Sequence, residues 1–174
     1  MKRVLFLTLF SVFSICASAQ SVDSLKSAKI CIDSLSTKLN KLQHDYDFLC
    51  GLCELERAYT DMRFFKNTIE DYAHEIRIDL NARSFDVDLY IVRKNAYDTY
   101  VEYSNTLKEN TKLLKEKYEQ MINSEDFSSY EYFLIKKNIL SMETTSGSII
   151  SALNMYKICL EQYKKLGLLV KNSR

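Results

Sequence analysis

Residues 132–163 of the chain read YFLIKKNILSMETTSGSIISALNMYKICLEQY. Apolar residues recur every three or four positions in this stretch, with one serine in the series: Tyr132, Ile135, Ile139, Met142, Ser146, Ile149, Leu153, Tyr156, Leu160 and Tyr163. Alternating steps of three and four residues form a heptad repeat, which places these side chains along one face of an α-helix. The stretch therefore predicts a long amphipathic helix that packs against other helices.

The flanking residues indicate where this helix begins and ends. Ser128 precedes Glu131 by three residues, which is the spacing of a capping box, where the two side chains satisfy backbone N–H groups at a helix N-terminus. Gly167 follows the last apolar position, and glycine commonly ends a helix because it adopts a positive φ without strain. We predict a helix over residues 128–166, followed by a C-terminal tail over 168–174.

An equally regular series of apolar residues lies in the first third of the chain: Leu25, Ala28, Ile32, Leu35, Leu39, Leu42, Tyr46, Leu49 and Cys53. Near Gly51 the series changes phase and then continues to Tyr72. A long helix absorbs such a stutter by local unwinding. We therefore predict one helix over residues 22–73, while a break at Gly51 would give the bundle four helices instead of three.

The next segment predicts a connector and then another helix. Ile76, Ile78 and Leu80 are two residues apart, which is an extended pattern, so residues 74–83 are expected to link two helices. Ser84 fits an N-cap. Apolar heptad positions from residue 90 to residue 121 predict a helix over residues 84–122.

Helix-ending residues are nearly absent, because the chain has no proline and only three glycines. The predicted fold class is all-α: an up-down-up bundle of three long, coiled-coil-like helices that form one domain over residues 20–167. A short turn near residue 125 makes the second and third helices antiparallel. In an antiparallel pair, the numbers of two residues that face each other have a constant sum, which here should be about 250.

The first nineteen residues have the pattern of a cleavable secretory signal peptide. Lys2 and Arg3 precede an apolar run over residues 4–15, and Ala17-Ser18-Ala19 is a small-residue cleavage site. The run is too short to span a membrane stably, so no stable span is expected in the mature chain. We predict cleavage near Ala19 and export to the periplasm or out of the cell.

The charge of the mature chain gives no indication of a polyanionic partner. Removing Lys2 and Arg3 from the 24 basic residues leaves 22, against 23 acidic residues. A near-neutral chain with interspersed charges lacks the basic surface that nucleic acid requires. We therefore expect no nucleic-acid partner.

Cys50 and Cys53 have the spacing of a redox or thiol motif and are weak candidates for one. A thioredoxin-like pair needs its first cysteine at a helix N-terminus, whereas this pair lies inside a predicted helix. Covalent haem attachment needs a histidine after the second cysteine, and Glu54 stands there. Free cysteines packed between helices are the favoured interpretation. No disulfide is expected between Cys31 and Cys159, which lie near opposite ends of the predicted bundle.

The ionisable residues do not assemble a recognisable catalytic or metal site. Glu70 and Asp71 precede His74 on one helical face, which is one imperfect half of a di-iron motif, and His44 is the only other histidine. Phosphate-binding glycine loops and serine-hydrolase motifs are absent from the sequence. We predict that the protein is not an enzyme, and we expect no cofactor and no bound metal.

The predicted bundle leaves part of the first helix without neighbours. If the connector spans residues 74–83, facing residues of the first two helices sum to about 157, and Met121 lies opposite Leu35. Leu25, Ala28 and Ile32 would then project beyond the bundle as a candidate interaction surface for a protein partner or a second copy. In the alternative arrangement the first helix ends near Tyr59, and residues 60–83 fold separately.

These features favour an exported, non-enzymatic protein that binds a protein partner or itself through its helix faces. One alternative is a periplasmic bundle that binds a small ligand or cofactor between its helices. A second alternative follows from the combination of an export signal with long heptad helices, which resembles the periplasmic coiled-coil chaperones and implies a chaperone-like function.

Overall fold

The computed structural model describes residues 22–124 and 127–172 of the chain. These residues form three helices and no strand: α1 is Val22–Asn81, α2 is Val87–Ser124 and α3 is Ser129–Asn172. The prediction of an all-α bundle of three long helices is confirmed, and α1 passes through Gly51 without a break. The predicted signal peptide over residues 1–19 lies outside the described residues. None of the described helices combines the length and the apolar character needed to cross a membrane.

The chain divides into two compact units, Met1–Leu49 and Cys50–Arg174. The described part of the first unit is the N-terminal portion of α1. The second unit contains the rest of α1 together with α2 and α3, which pack side by side as a three-helix bundle. The division falls within residues 20–167, which we predicted to form one domain.

The predicted connector over residues 74–83 is wrong, because α1 continues to Asn81. Leu55, Met62, Ile69 and Ile76 are fully buried and lie seven residues apart, so one heptad series extends through the supposed connector. Ile78 is exposed. The alternation of apolar residues over 76–80 is therefore compatible with a helix that buries one face. The alternative in which the first helix ends near residue 59 is also wrong.

The C-terminus of α1 is closed by a pair of backbone hydrogen bonds. The N–H of Ser84 donates to the carbonyl of Asp79 at 3.0 Å, and the N–H of Arg83 donates to the carbonyl of Leu80 at 3.1 Å. These bonds are the Schellman pattern, which needs a residue in the left-handed region, and Arg83 takes that position with φ of 52°. A non-glycine residue thus ends the longest helix.

Asp86, and not Ser84 as predicted, caps the N-terminus of α2. Its Oδ1 accepts hydrogen bonds from the N–H groups of Asp88 at 2.8 Å and Leu89 at 3.0 Å. The backbone N–H of Ser84 instead helps to close the C-terminus of α1. The second helix therefore begins at Val87, three residues later than predicted.

The capping box at the start of α3 is confirmed. The N–H of Ser128 donates to Oε2 of Glu131 at 2.8 Å, and the N–H of Glu131 donates to Oγ of Ser128 at 3.3 Å. This reciprocal arrangement satisfies donors that have no partner inside the helix. The third helix accordingly begins at Ser129.

The predicted helix end at Gly167 is wrong, because α3 continues to Asn172 and no described glycine has a positive φ. Gly167 lies against the ring of Phe85, where an added Cβ would stand 2.6 Å from Cε2. Glycine fits here because an added Cβ would displace the Phe85 ring. Residues 168–172, predicted to be a tail, belong to the helix.

The register between α2 and α3 is close to the prediction. Tyr97, predicted to face Leu153, packs its ring on Tyr156 with centroids 5.5 Å apart. Tyr90 contacts Tyr163 with the same displacement of three residues, which is less than one helical turn. Contacting residue numbers therefore sum to about 253, near the predicted value.

The register between α1 and α2 differs from the prediction by slightly more than two heptads. Met62 accepts a hydrogen bond from Thr111 at 3.6 Å, and the ring of Tyr72 contacts that of Tyr100. These pairs sum to about 172 and not to about 157. Most of the difference arises because α1 ends at Asn81, eight residues later than predicted, and α2 begins at Val87, three residues later than predicted.

Replacing Ser128 with alanine should lower the free energy of unfolding by about 1 kcal/mol, because the N–H of Glu131 loses its acceptor. Urea unfolding at constant pH measures this change. Ser129→Ala is the matched control, since that residue is exposed and the capping hydrogen bonds join Ser128 and Glu131. Equal stability of the two variants would contradict the assignment of Ser128 as the cap.

Candidate functional site

The N-terminal seam is the longest exposed apolar feature of α1. We use this name for Leu25, Ala28, Ile32, Leu35, Leu39, Leu42, Tyr46 and Leu49. Apart from the half-buried Ala28, each of these side chains is at least 40% exposed, and Leu42 is 66% exposed. The predicted surface of Leu25, Ala28 and Ile32 is therefore the first part of a longer stripe that reaches Leu49.

The N-terminal seam has the same heptad spacing as the buried part of α1. Leu55 and Ile69 are completely buried, whereas Leu35 and Leu39 are 44% and 48% exposed. Isolated exposed apolar residues are normal on protein surfaces, but a continuous apolar stripe commonly marks an interface. The regular spacing of the seam gives this stripe the geometry of a helix-packing surface.

A cluster of aromatic rings fills the middle of the three-helix bundle. Tyr100 contacts Phe65, Tyr72 and Tyr156, with ring centroids 5.6, 5.7 and 6.4 Å apart. Burial and a hydrogen bond to Tyr72 raise the pKa of Tyr100 to about 12, and burial also raises the pKa of Tyr156. These phenols are neutral at physiological pH, so the cluster contributes packing and hydrogen bonds.

Arg93 is a buried cation at the edge of this cluster. Only 5% of the residue is exposed, and its Nη1 donates to Oδ2 of Asp79 at 2.6 Å. Its guanidinium lies 5.4 Å from the ring centroid of Tyr163, and its carbonyl accepts a hydrogen bond from Tyr156 at 2.8 Å. A second carboxylate, that of Glu75, lies 3.9 Å away. With two anionic neighbours already present, the Arg93 charge serves to join the helices.

Glu54, Lys117 and Tyr118 form a second polar group between α1 and α2. The Glu54 carboxylate accepts hydrogen bonds from Lys117 at 2.5 Å and from the Tyr118 hydroxyl. The Lys117 bond is the main cause that lowers the pKa of Glu54, whereas burial raises the pKa of Tyr118 to about 12. The carboxylate is thus ionised and the phenol neutral, which suits a structural bond. Gly51 leaves room for the Tyr118 ring, since a Cβ there would lie 2.6 Å from it.

The four described cysteines are free in the structure. Cys50 and Cys53 are exposed within α1, far from the helix N-terminus that would lower a thiol pKa. Cys31 is also exposed, whereas Cys159 is buried, and burial raises the pKa of its thiol. The placement of the Cys50 and Cys53 pair inside a helix therefore does not supply the setting of a thioredoxin-like motif.

The His74 side chain lines a groove between α1 and α3. The groove measures about 540 Å³ and is also lined by Lys66, Glu70, Arg77 and the small side chains of Ser148 and Ser151. Its walls combine both signs of charge, and Lys66 pairs with Glu70 at 2.8 Å. Ligand pockets are usually enclosed and mostly apolar, with a few convergent polar groups. This groove is instead open to solvent, and its charged groups have both signs.

No known protein family, curated protein or solved structure matches this chain. The exposure and the contacts of the described residues therefore identify the candidate site. The aromatic cluster, Arg93 and the Glu54 group have their principal contacts within the bundle. The N-terminal seam, by contrast, is apolar and exposed, so it is the candidate functional site.

Asp79→Asn should destabilise the protein by roughly 3 kcal/mol, because it removes the main counter-charge of the buried Arg93. Asp98→Asn makes the same chemical change in the exposed pair with Lys94 and should cost less than about 1 kcal/mol. Urea unfolding of both variants checks the difference. Equal losses would show that the Arg93 pair is not a buried ion pair in solution.

Proposed function

We propose that the chain is an exported, non-enzymatic protein that acts by binding another protein through the N-terminal seam. The observation that supports this proposal is the exposure of a regular heptad stripe from Leu25 to Leu49. The signal-peptide pattern of residues 1–19 supports export, since it combines a basic start, an apolar run and a small-residue cleavage site.

The seam has enough apolar surface to hold a complex together. Burying a leucine or isoleucine completely contributes about 1.5–3 kcal/mol, so each half-exposed seam residue can contribute roughly 1 kcal/mol. A partner that buries a similar number of its own apolar side chains doubles the free energy gained by burial. For the seven large side chains of the seam the doubled total is about 14 kcal/mol, which exceeds most of the estimated range for the cost of association, about 4–15 kcal/mol. A specific complex of moderate affinity is therefore within reach.

The spacing of the seam determines the kind of partner it fits. Apolar residues at alternating steps of three and four pack as knobs into the holes of another α-helix with the same repeat. A membrane surface is a poorer match, because membrane-binding helices have a strongly basic polar face. Here Lys29, Lys38 and Lys41 are interspersed along the helix with Asp33, Asp45 and Asp47. A helical protein partner is the occupant that this pattern favours.

Replacing Leu35 and Leu42 together with aspartate should dissociate the complex that contains this chain. Two charges in the middle of the seam would be buried without partners on binding. Ile30→Asp is the matched control, because Ile30 is 69% exposed but lies on the opposite face of the helix. Size-exclusion chromatography of host extracts, with detection of the chain, measures the size of the complex.

The near-UV circular dichroism of the packed tyrosines reports whether the second unit remains folded in each variant. The proposal requires a smaller species for the double variant, an unchanged species for Ile30→Asp and an unchanged tyrosine signal for both. A double variant that elutes at the position of the wild-type chain would show that the seam is not an interface.

A further inference from the structure

The geometry points to a second copy of this chain, bound antiparallel, as the partner of the N-terminal seam. This inference rests on the proposed function, because it takes the seam to be a binding surface and names what binds there. The charged residues that border the seam favour this partner and this orientation, since apolar contacts alone do not select an orientation.

The heptad positions of the first unit follow directly from the seam. Leu25, Ile32, Leu39 and Tyr46 occupy position a, and Ala28, Leu35, Leu42 and Leu49 occupy position d. Positions e and g flank a coiled-coil seam and contact the partner helix. Position e holds Lys29, Ser36 and Gln43, and position g holds Cys31, Lys38 and Asp45.

A parallel pairing of two copies brings no opposite charges together. In that orientation a residue at g faces the residue at e of the next heptad in the partner. Lys38 would then face Gln43 of the second copy, and Cys31 would face Ser36. Neither contact is an ion pair, so the flanking residues give the parallel dimer no electrostatic stabilisation.

An antiparallel pairing brings Lys38 and Asp45 together twice. Positions g face each other in this orientation, so Lys38 of each copy lies beside Asp45 of the other. Lys38 is exposed, and the Asp45 side chain is 49% exposed, with the ring of His44 at 3.7 Å as its neighbour on the same helix. The two contacts are related by a twofold axis, as expected for a closed homodimer.

This charge pairing also selects the register. The numbers of two seam residues that face each other then sum to about 81. This register places Leu39 against Leu42, Leu35 against Tyr46 and Ile32 against Leu49 of the second copy. Every one of these layers joins two large apolar side chains. A shift by one heptad, to a sum of about 74, would bring Lys38 of one copy beside Lys38 of the other, and like charges disfavour that register.

Reversing one charge at a time tests this arrangement. Lys38→Asp and Asp45→Lys each replace both ion pairs with like-charge contacts, so each should raise the dimer dissociation constant about tenfold at low salt. The combined variant Lys38→Asp/Asp45→Lys exchanges the two charges and should restore the wild-type constant. Lys41→Asp is the control, because it makes the same charge change at position c, away from the partner. Sedimentation equilibrium of the purified chain gives the constants.

The possible outcomes separate this inference from the proposed function. Weakening by each single reversal with recovery in the combined variant supports the antiparallel dimer. A wild-type dimer that is indifferent to both reversals overturns this register, and a chain that stays monomeric overturns self-association. In both cases the proposed function fails only if Leu35→Asp/Leu42→Asp also leaves the size of the complex in host extracts unchanged.

Discussion

Buried apolar side chains spaced seven residues apart on α1, from Leu55 to Ile76, are the interaction on which the bundle depends. Packing α2 and α3 against this series removes it from water, and the aromatic cluster and Arg93 complete the same interface. The capping residues determine where the helices end and begin. Arg83 and Asp86 do so between α1 and α2, and Ser128 does so before α3. With no proline in the chain, helices of this length form without interruption.

In the first unit, apolar residues with the same heptad spacing are exposed instead of buried. From Leu25 to Leu49 the apolar positions are equally regular, yet most of these side chains are exposed. An apolar stripe that remains in water is costly, by about 25 cal/mol for each Å². A second helix with the same repeat would remove that cost, which is why we propose this stripe as the binding surface of the protein. The proposed antiparallel pairing of Lys38 with Asp45 makes a second copy of the chain a suitable source of that helix.

Regular spacing and local capping chemistry made much of the fold predictable from the sequence. The α3 seam and the Ser128 capping box depend on neighbouring residues, and both are present in the structure. Gly167 and residues 74–83 were misjudged because their conformations are decided by distant contacts: the Phe85 ring in one case, and the burial of Ile76 in the other. The heptad spacing was enough to predict Leu25, Ala28 and Ile32 as a surface. The extension of the exposed stripe to Leu49 depends on where other helices pack against α1, which the spacing does not show.

Double electron–electron resonance between spin labels on Cys31 tests the central claim most directly. Cys31 is exposed, and replacing Cys50 and Cys53 with serine leaves it as the accessible thiol among the described residues. In the antiparallel dimer the two Cys31 backbones lie roughly 30 Å apart, given a rise of 1.5 Å per residue and a helix separation of 8–10 Å. The account predicts a distance distribution centred near that value. A distance of about 15 Å or less, as in a parallel pair, or no dipolar signal between chains would contradict it.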